Sequence, residues 1–420
     1  MTLSIKTDRQ LIRAAARSNR YVLLNFTAPQ TPRPESRRPV NVAFVLDRSG
    51  SMSGENKFPL AVQAIEHSLR MLRAEDRFSL VLFDNEVDIL ARSVNATPAA
   101  TRQALDALSS IHPRGSTDLC AGWMRGCEQV AEFVAEEKTS RVLLLTDGLA
   151  NQGVQDRDTL ARHASELRQR GVSTSTFGVG ADFDERLLRD MAHEGGGNFY
   201  FLESARQIPD LITSELGEAL EVVIPQAAIE LDIPHRASAE VLNRFRSSNA
   251  DNSLRIDLGD VVSAQEVDVL VRVNFPQSEI GATAALRARV VGRAGDVIHS
   301  GAIDWTYATH ADNDRQAREY EVDRRVADIY ASRARAEATE ANRRGDFATA
   351  RKVIERTAAR IRQYAGDDGV LNDCWRSLVA ERSRYDEEVM SPMMMKQSYF
   401  VAEMGMKGRV ADGKARRSAR

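Results

Sequence analysis

The stretch FVLDRSGSM, residues 44–52, decides the reading of this 420-residue chain. Its first half belongs to a continuous apolar run, Val42 to Leu46. That is the pattern of a strand buried on both faces of a sheet. The run ends in Asp47-Arg48-Ser49-Gly50-Ser51. Alternate residues of an extended loop point the same way, so oxygens of Asp47, Ser49 and Ser51 can converge on one point. A second buried strand, Val142 to Thr146, also ends in an acid, Asp147, followed by Gly148. Between the two lies Gly115-Ser116-Thr117-Asp118, where a glycine-bearing loop enters a helix. In a parallel α/β sheet the carboxyl ends of the strands form the ligand crevice.

The pattern around these strands supports that placement. A helical stretch carries Leu60, Ala64, Ile65, Leu69 and Leu72. Strands follow at Phe78–Phe83 and Val87–Ala91, then helices over 98–109 and 118–136. After Val142–Thr146 come a helix over 156–170, the strand Ser173–Val179, a helix from Asp184, the strand Asn198–Leu202 and a helix over 205–221. Strands alternating with helices predict a doubly wound, mostly parallel α/β sheet. From Ile224 to about Thr309 the pattern turns all-β, with strands at Ala227–Ile233, Ser253–Leu258, Glu266–Val273, Ala284–Val291 and Ile298–Tyr307. Five strands make an incomplete sandwich. Before residue 39 the one clear strand, Tyr21–Phe26, is followed by the Pro-rich linker PQTPRPESRRP. The α/β unit is therefore expected to be inserted in a β-sandwich built from both flanks.

From Asp314 the chain turns helical: a helix over 314–344, a stop at Gly345, a helix capped by Asp346 that runs to Tyr364, and a third over 369–389. The expected organisation is 1–39 for the first sandwich strand and linker, 40–221 for the α/β domain, 222–310 for the sandwich and 311–390 for a helical region. Residues 391–420 read as a partly disordered tail. Its Met393–Met395 cluster reads as a docking strand against the sandwich or as lacking order, with docking on a groove as the alternative, and its basic residues Lys407, Arg409, Lys414, Arg416, Arg417 and Arg420 as solvated.

The converging groups are hard oxygen donors without His or Cys, which argues against zinc and suits Mg²⁺, Mn²⁺ or Ca²⁺. At these residues the chain resembles the von Willebrand factor A (VWA) family and its metal-ion-dependent adhesion site. Asp47, Ser49 and Ser51 match the family's Asp-x-Ser-x-Ser motif, Thr117 its threonine, and Asp147, in LLLTDG, its later aspartate. The resemblance covers residues 40–221 and includes GSTDL, STFGVG and GNFYF. The wider arrangement is loosely similar to inter-alpha-trypsin inhibitor heavy chains. The resemblance implies a protein-binding module in which an acidic residue of a partner completes the coordination of the metal, with Mg²⁺ as the cofactor. It implies no catalysis.

Composition agrees with a soluble protein. The charged fraction is 28% and the formal charge −3, so a general nucleic-acid binder is not expected. Cys120, Cys127 and Cys374 are the three cysteines, too few for a disulfide framework, and a reducing compartment fits. No signal peptide or membrane-spanning run is read, which predicts a cytoplasmic protein.

Two other functions compete with this reading. Some relatives serve separate MoxR- or chelatase-type AAA+ ATPases. This chain has no G-x-x-x-x-G-K-S/T loop, so such an ATPase would be another polypeptide. A metal-dependent hydrolase would need a base, and His112 is the nearest candidate. Asp84 and Asp88 read as an acidic turn, with a second cation site as the alternative.

Overall fold

The computed structural model describes residues 1–30, 37–134, 139–385 and 388–417. The chain forms two compact units, one from residues 1–31 and 223–420, the other from 32–222. Three strands come first: β1 (Thr2–Thr7), β2 (Leu11–Arg13) and β3 (Ser18–Thr27).

The second unit runs β4 (Val40–Asp47), α1 (Lys57–Met71), β5 (Arg77–Phe83), β6 (Val87–Asn95), α2 (Pro98–Ser109), α3 (Leu119–Ala131), β7 (Thr139–Thr146), α4 (Arg157–Gln169), β8 (Val172–Val179), α5 (Glu185–Glu194), β9 (Gly196–Leu202) and α6 (Ile208–Leu220). Its six strands lie in the order β6-β5-β4-β7-β8-β9, all parallel except the edge strand β6. Every residue of β4 and β7 is buried, as a sheet covered on both faces requires. On one face Val42, Phe44 and Leu46 join Phe58, Ile65 and Leu69 of α1 and Leu211, Ile212 and Leu216 of α6 in one apolar cluster. On the other, α3 lies close because it presents glycines. A Cβ on Gly126 would come within 2.2 Å of Val45 Cγ2, and one on Gly122 within 2.3 Å of the Phe83 ring.

Chain order reverses between β4 and β7: the chain leaves β4 towards β5 on one side and later adds β7, β8 and β9 on the other. Leu46 pairs with Leu145, so Asp47 is level with Thr146, and Asp147 lies just beyond. The sheet thus sets both acids at the mouth of its switch point, where ligand crevices form.

The first unit continues with β10 (Val222–Asp232), β11 (Ser238–Val241), β12 (Arg246–Ala250), β13 (Ser253–Val262), β14 (Glu266–Phe275), β15 (Thr283–Val291) and β16 (Val297–Ala308). Two sheets result, ordered β1-β3-β14-β11 and β12-β13-β10-β15-β16-β2. Strand β3 pairs with β14 along its whole length, from Ser18↔Phe275 to Thr27↔Glu266. Segments on either side of the α/β unit therefore share one sheet. Val22, Leu24 and Phe26 alternate inward and meet Ile229, Leu231 and Ile256 of the other sheet. The sandwich is more complete than the five strands and one N-terminal strand read from the sequence. Strands β1, β2, β11 and β12 escaped because they are short or only partly buried.

Helices follow: α7 (His310–Arg315), α8 (Tyr320–Arg343), α9 (Phe347–Ala365), α10 (Gly369–Glu381) and α11 (Pro392–Lys407). Val322, Val326 and Ile329 of α8 pack on Leu23 and Leu270, on the side of β3 and β14 turned away from the sandwich core. Gly345, at φ +74°, ends the α8–α9 turn, and Asp346 caps α9 by accepting from Thr349 N at 3.1 Å. Residues 392–407 correct the expectation of a loosely ordered tail or docking strand. They are helix α11, with Tyr399, Phe400, Met404 and Met406 buried. Met395 joins the core of α8, α9 and α10. The basic residues beyond are not all solvated: the Arg416 side chain reaches Asp268 at 2.7 Å and Glu266 at 3.2 Å, and the backbone of the exposed Arg417 forms a β-bridge with Gln265. Arg420 lies outside the described residues.

Candidate metal centre

Asp47 ends β4 fully buried. One carboxylate oxygen accepts the Ser49 backbone N–H at 2.7 Å, the other the Thr146 hydroxyl at 2.6 Å. These bonds fix its orientation. Burial pushes the carboxyl up to about 6 against the pull of the Thr146 and Ser49 hydrogen bonds, with Asp147 adding to the rise. Ser49 Oγ lies 3.1 Å from Ser51 Oγ, and the Ser51 hydroxyl donates to Asp147 Oδ1 at 2.6 Å. A Cβ placed on Gly148 would lie 3.6 Å from Ser51 Oγ and 3.7 Å from Thr117 Oγ1, which sets the Thr117 hydroxyl beside the same cluster. The structure thus brings Asp47, Ser49, Ser51, Thr117 and Asp147 together from three loops.

Backbone bonds hold those loops in register. Arg114 N–H donates to Arg48 O at 2.7 Å and Gly50 N–H to Gly115 O at 3.2 Å. Gly115 takes φ +67°, and a Cβ there would run into the Asn85 side chain. Thr117 N–H donates to Asn151 Oδ1 at 2.9 Å, and Thr117 O accepts from Asn151 and Gln152 N–H. Asp118 caps α3 through Ala121 N at 2.9 Å.

Asp84 opens the acidic turn, its Oδ1 accepting the Glu86 N–H at 2.7 Å, and its other oxygen is taken by arginines and not by a second cation. It is fully buried and accepts from Arg48 Nε and Arg114 Nε, each at 2.9 Å. Its burial disfavours charge, but the Glu86 N–H, Arg114 and Arg48 outweigh that and hold the carboxyl below its ordinary range. Arg48 also reaches Asp88 at 2.7 Å. The middle residue of Asp47-Arg48-Ser49 is therefore the anchor of the loop. Sequence reading missed it because nothing local to Arg48 announces a partner 36 residues away. It also missed Lys57, at the start of α1, whose ammonium lies 2.8 Å from Asp147 Oδ2. His112 is exposed and forms no part of the cluster.

The donor set fits a hard divalent cation. Two buried carboxylates and three hydroxyls face one another, and the ammonium of Lys57 already satisfies one of the acids. Among the described residues no group of three or more His, Cys, Asp or Glu could hold a metal, so a cation here would lean on hydroxyl oxygens.

A doubly wound sheet with an oxygen cluster at its switch point defines the class of this unit. Comparison with known proteins gives the family. Residues 41–214 match the von Willebrand factor type A domain, and the α/β unit is a VWA domain. The chain is 25% identical over 242 residues to the uncharacterized protein YfbK of Escherichia coli (strain K12), covering 56% of this chain and 42% of that one. It is 27% identical over 231 residues to human inter-alpha-trypsin inhibitor heavy chain H3, covering 53% of this chain and 26% of that one. The chain thus spans under half the length of either. In fold it is similar to a solved von Willebrand factor type A protein from Catenulispora acidiphila, with TM-score 0.73, 15% identity and coverage of 99% and 97%. A second similar structure is the ArnB paralog VWA2 of Sulfolobus acidocaldarius, with TM-score 0.61, 16% identity and coverage of 97% and 98%. Both likenesses extend over the sandwich and helices as well as the VWA domain. No helix among the described residues is long and apolar enough to cross a membrane.

Proposed function

We propose that the VWA domain holds one divalent cation, Mg²⁺ in the cell, on Asp47, Ser49, Ser51, Thr117 and Asp147, and uses it to grip an acidic side chain of a partner protein. The observation that carries this reading is the convergence of these five side chains, from three separate loops, at the switch point of the sheet. Two carboxylates balance a dication. Lys57, on the outer oxygen of Asp147, then leaves the cluster with net positive charge, which favours an incoming carboxylate. The free thiols of Cys120, Cys127 and Cys374 suit a reducing compartment, in keeping with a cytoplasmic protein.

The test passes native extract over the immobilised chain in Mg²⁺, in chelator, and over an Asp47→Ala variant. A specific protein retained only by wild type in Mg²⁺, and released when its own carboxylates are amidated, supports the reading. Retention indifferent to metal and to Asp47 would refute it.

A further inference from the structure

A cavity of about 550 Å³ lies within the first unit, between β3 with the loop after β1 and the helices α8 and α9. Its size is that of a small-molecule site. Five arginines reach it: Arg9, Arg20, Arg318, Arg356 and Arg360. Only three carboxylates do so, and two of those are already committed. Asp323 takes Arg318 through paired bonds of 2.5 and 2.6 Å, and Asp8 accepts the Tyr21 N–H at 2.8 Å.

Arg9 Nε lies 3.7 Å from Asp8 Oδ2, so the guanidiniums left without an acid partner among the described residues are those of Arg356 and Arg360. Arg9 Nε is buried and has no hydrogen-bond acceptor. Arg356 and Arg360 sit one turn apart on α9, so both project to the same side. Among the described residues neither makes a salt bridge; the Arg360 guanidinium lies over the Tyr330 ring, 5.4 Å from its centroid. A guanidinium held by its face on a ring keeps its N–H edge free for an anion. The Arg20 guanidinium, deeper in the wall, is pushed down to about 10. Burial is the main cause; Asp8 opposes it, and Arg9, Arg13 and Arg318 add to it. Its own N–H groups are spent on Leu11 O and Asn19 O. It therefore adds field rather than contact.

We infer that this cavity is an anion site, separate from the VWA crevice, that takes the phosphate group of a small ligand on Arg9, Arg356 and Arg360. Phosphate suits it better than carboxylate. Its terminal oxygens and double charge can serve three guanidinium edges at once, whereas a carboxylate offers two oxygens and one charge. The phosphate can be free or carried as a monoester, with Tyr330, Val353 and Ile361 as the apolar wall for an organic remainder.

Calorimetry on the full chain, in chelator and low salt, tests this with inorganic phosphate, AMP and adenosine as probes. Saturable one-to-one binding of phosphate or AMP but not adenosine is expected. It should weaken by at least about tenfold in R356A/R360A. Both side chains are exposed, so the melting temperature should hold. AMP binding tighter than phosphate assigns a monoester; phosphate binding as tightly as AMP assigns the free anion. No saturable binding of either, an affinity unchanged in the double variant, or binding abolished by Asp47→Ala instead, would overturn the inference.

Discussion

Replacing Lys57 with methionine should strengthen metal binding while weakening the metal-free fold. The ammonium sits 2.8 Å from Asp147 Oδ2, while the opposite oxygen, Oδ1, faces Ser51. A dication among the hydroxyls would lie roughly 6 Å from that ammonium, and charges of one and two at this distance repel by about 5 kcal/mol at an effective dielectric of about 20. Lys57 keeps 12% of its side chain exposed, so the ammonium can swing towards water and shed most of that cost. About a quarter should remain, or ~1.4 kcal/mol, which is roughly tenfold in Kd. Without metal the sign reverses. Asp147 is fully buried on its side chain and loses its counter-ion, which costs about 1–3 kcal/mol of stability. The assay is a Mg²⁺ titration by calorimetry, paired with chemical denaturation in chelator. An unchanged or weaker Mg²⁺ affinity in Lys57→Met, with the fold intact, would refute the reasoning that Lys57 holds the place of a cation.

Three further outcomes follow from the same geometry. The Asp47 carboxyl is raised from 3.8 to about 6 in the metal-free fold, so its ionisation costs stability as pH rises between those values. A cation must displace that proton, and Mg²⁺ affinity measured by calorimetry should therefore fall as pH drops below about 6 and level off above it. Gly126→Ala would drive a methyl into Val45, a β-branched residue fixed in β4 that cannot turn aside, and should cost about 1–3 kcal/mol by urea denaturation. Arg141→Met would strand Glu215 of α6, whose buried carboxylate takes Arg141 at 2.7 Å, Ser175 at 2.5 Å and Tyr200 at 2.6 Å. The loss should be about 3–5 kcal/mol in the same assay.

The parts of this fold that were legible in the sequence are those where one periodicity dominates. Val42–Leu46 and Val142–Leu145 are apolar without a break because both faces of their sheet are covered, and both lie in strands of the structure. The insertion of the α/β unit was legible too, since a single N-terminal strand needs a sheet from elsewhere, and β14 supplies it. Strands such as Arg246–Ala250 were not, because an edge strand facing solvent carries no apolar signal. Helix α11 was obscured differently. Its methionines and aromatics pack on distant helices, so their meaning depends on a surface that the local sequence does not contain. At the crevice, spacing alone set Asp47, Ser49 and Ser51 on one side of their loop, and Thr117 and Asp147 joined them through the family resemblance, whereas Arg48, Asp84 and Lys57 act through partners 36, 30 and 90 residues away.

Calorimetric titration of Mg²⁺ and Mn²⁺ into wild type and into Asp47→Ala, at pH 7.5 and matched stability, addresses the metal centre most directly. One saturable site is expected in wild type, with a loss of at least about a hundredfold in the variant, since one of the cluster's two carboxylates is gone. Equal affinity in the two proteins, or no saturable site in wild type, would contradict that expectation.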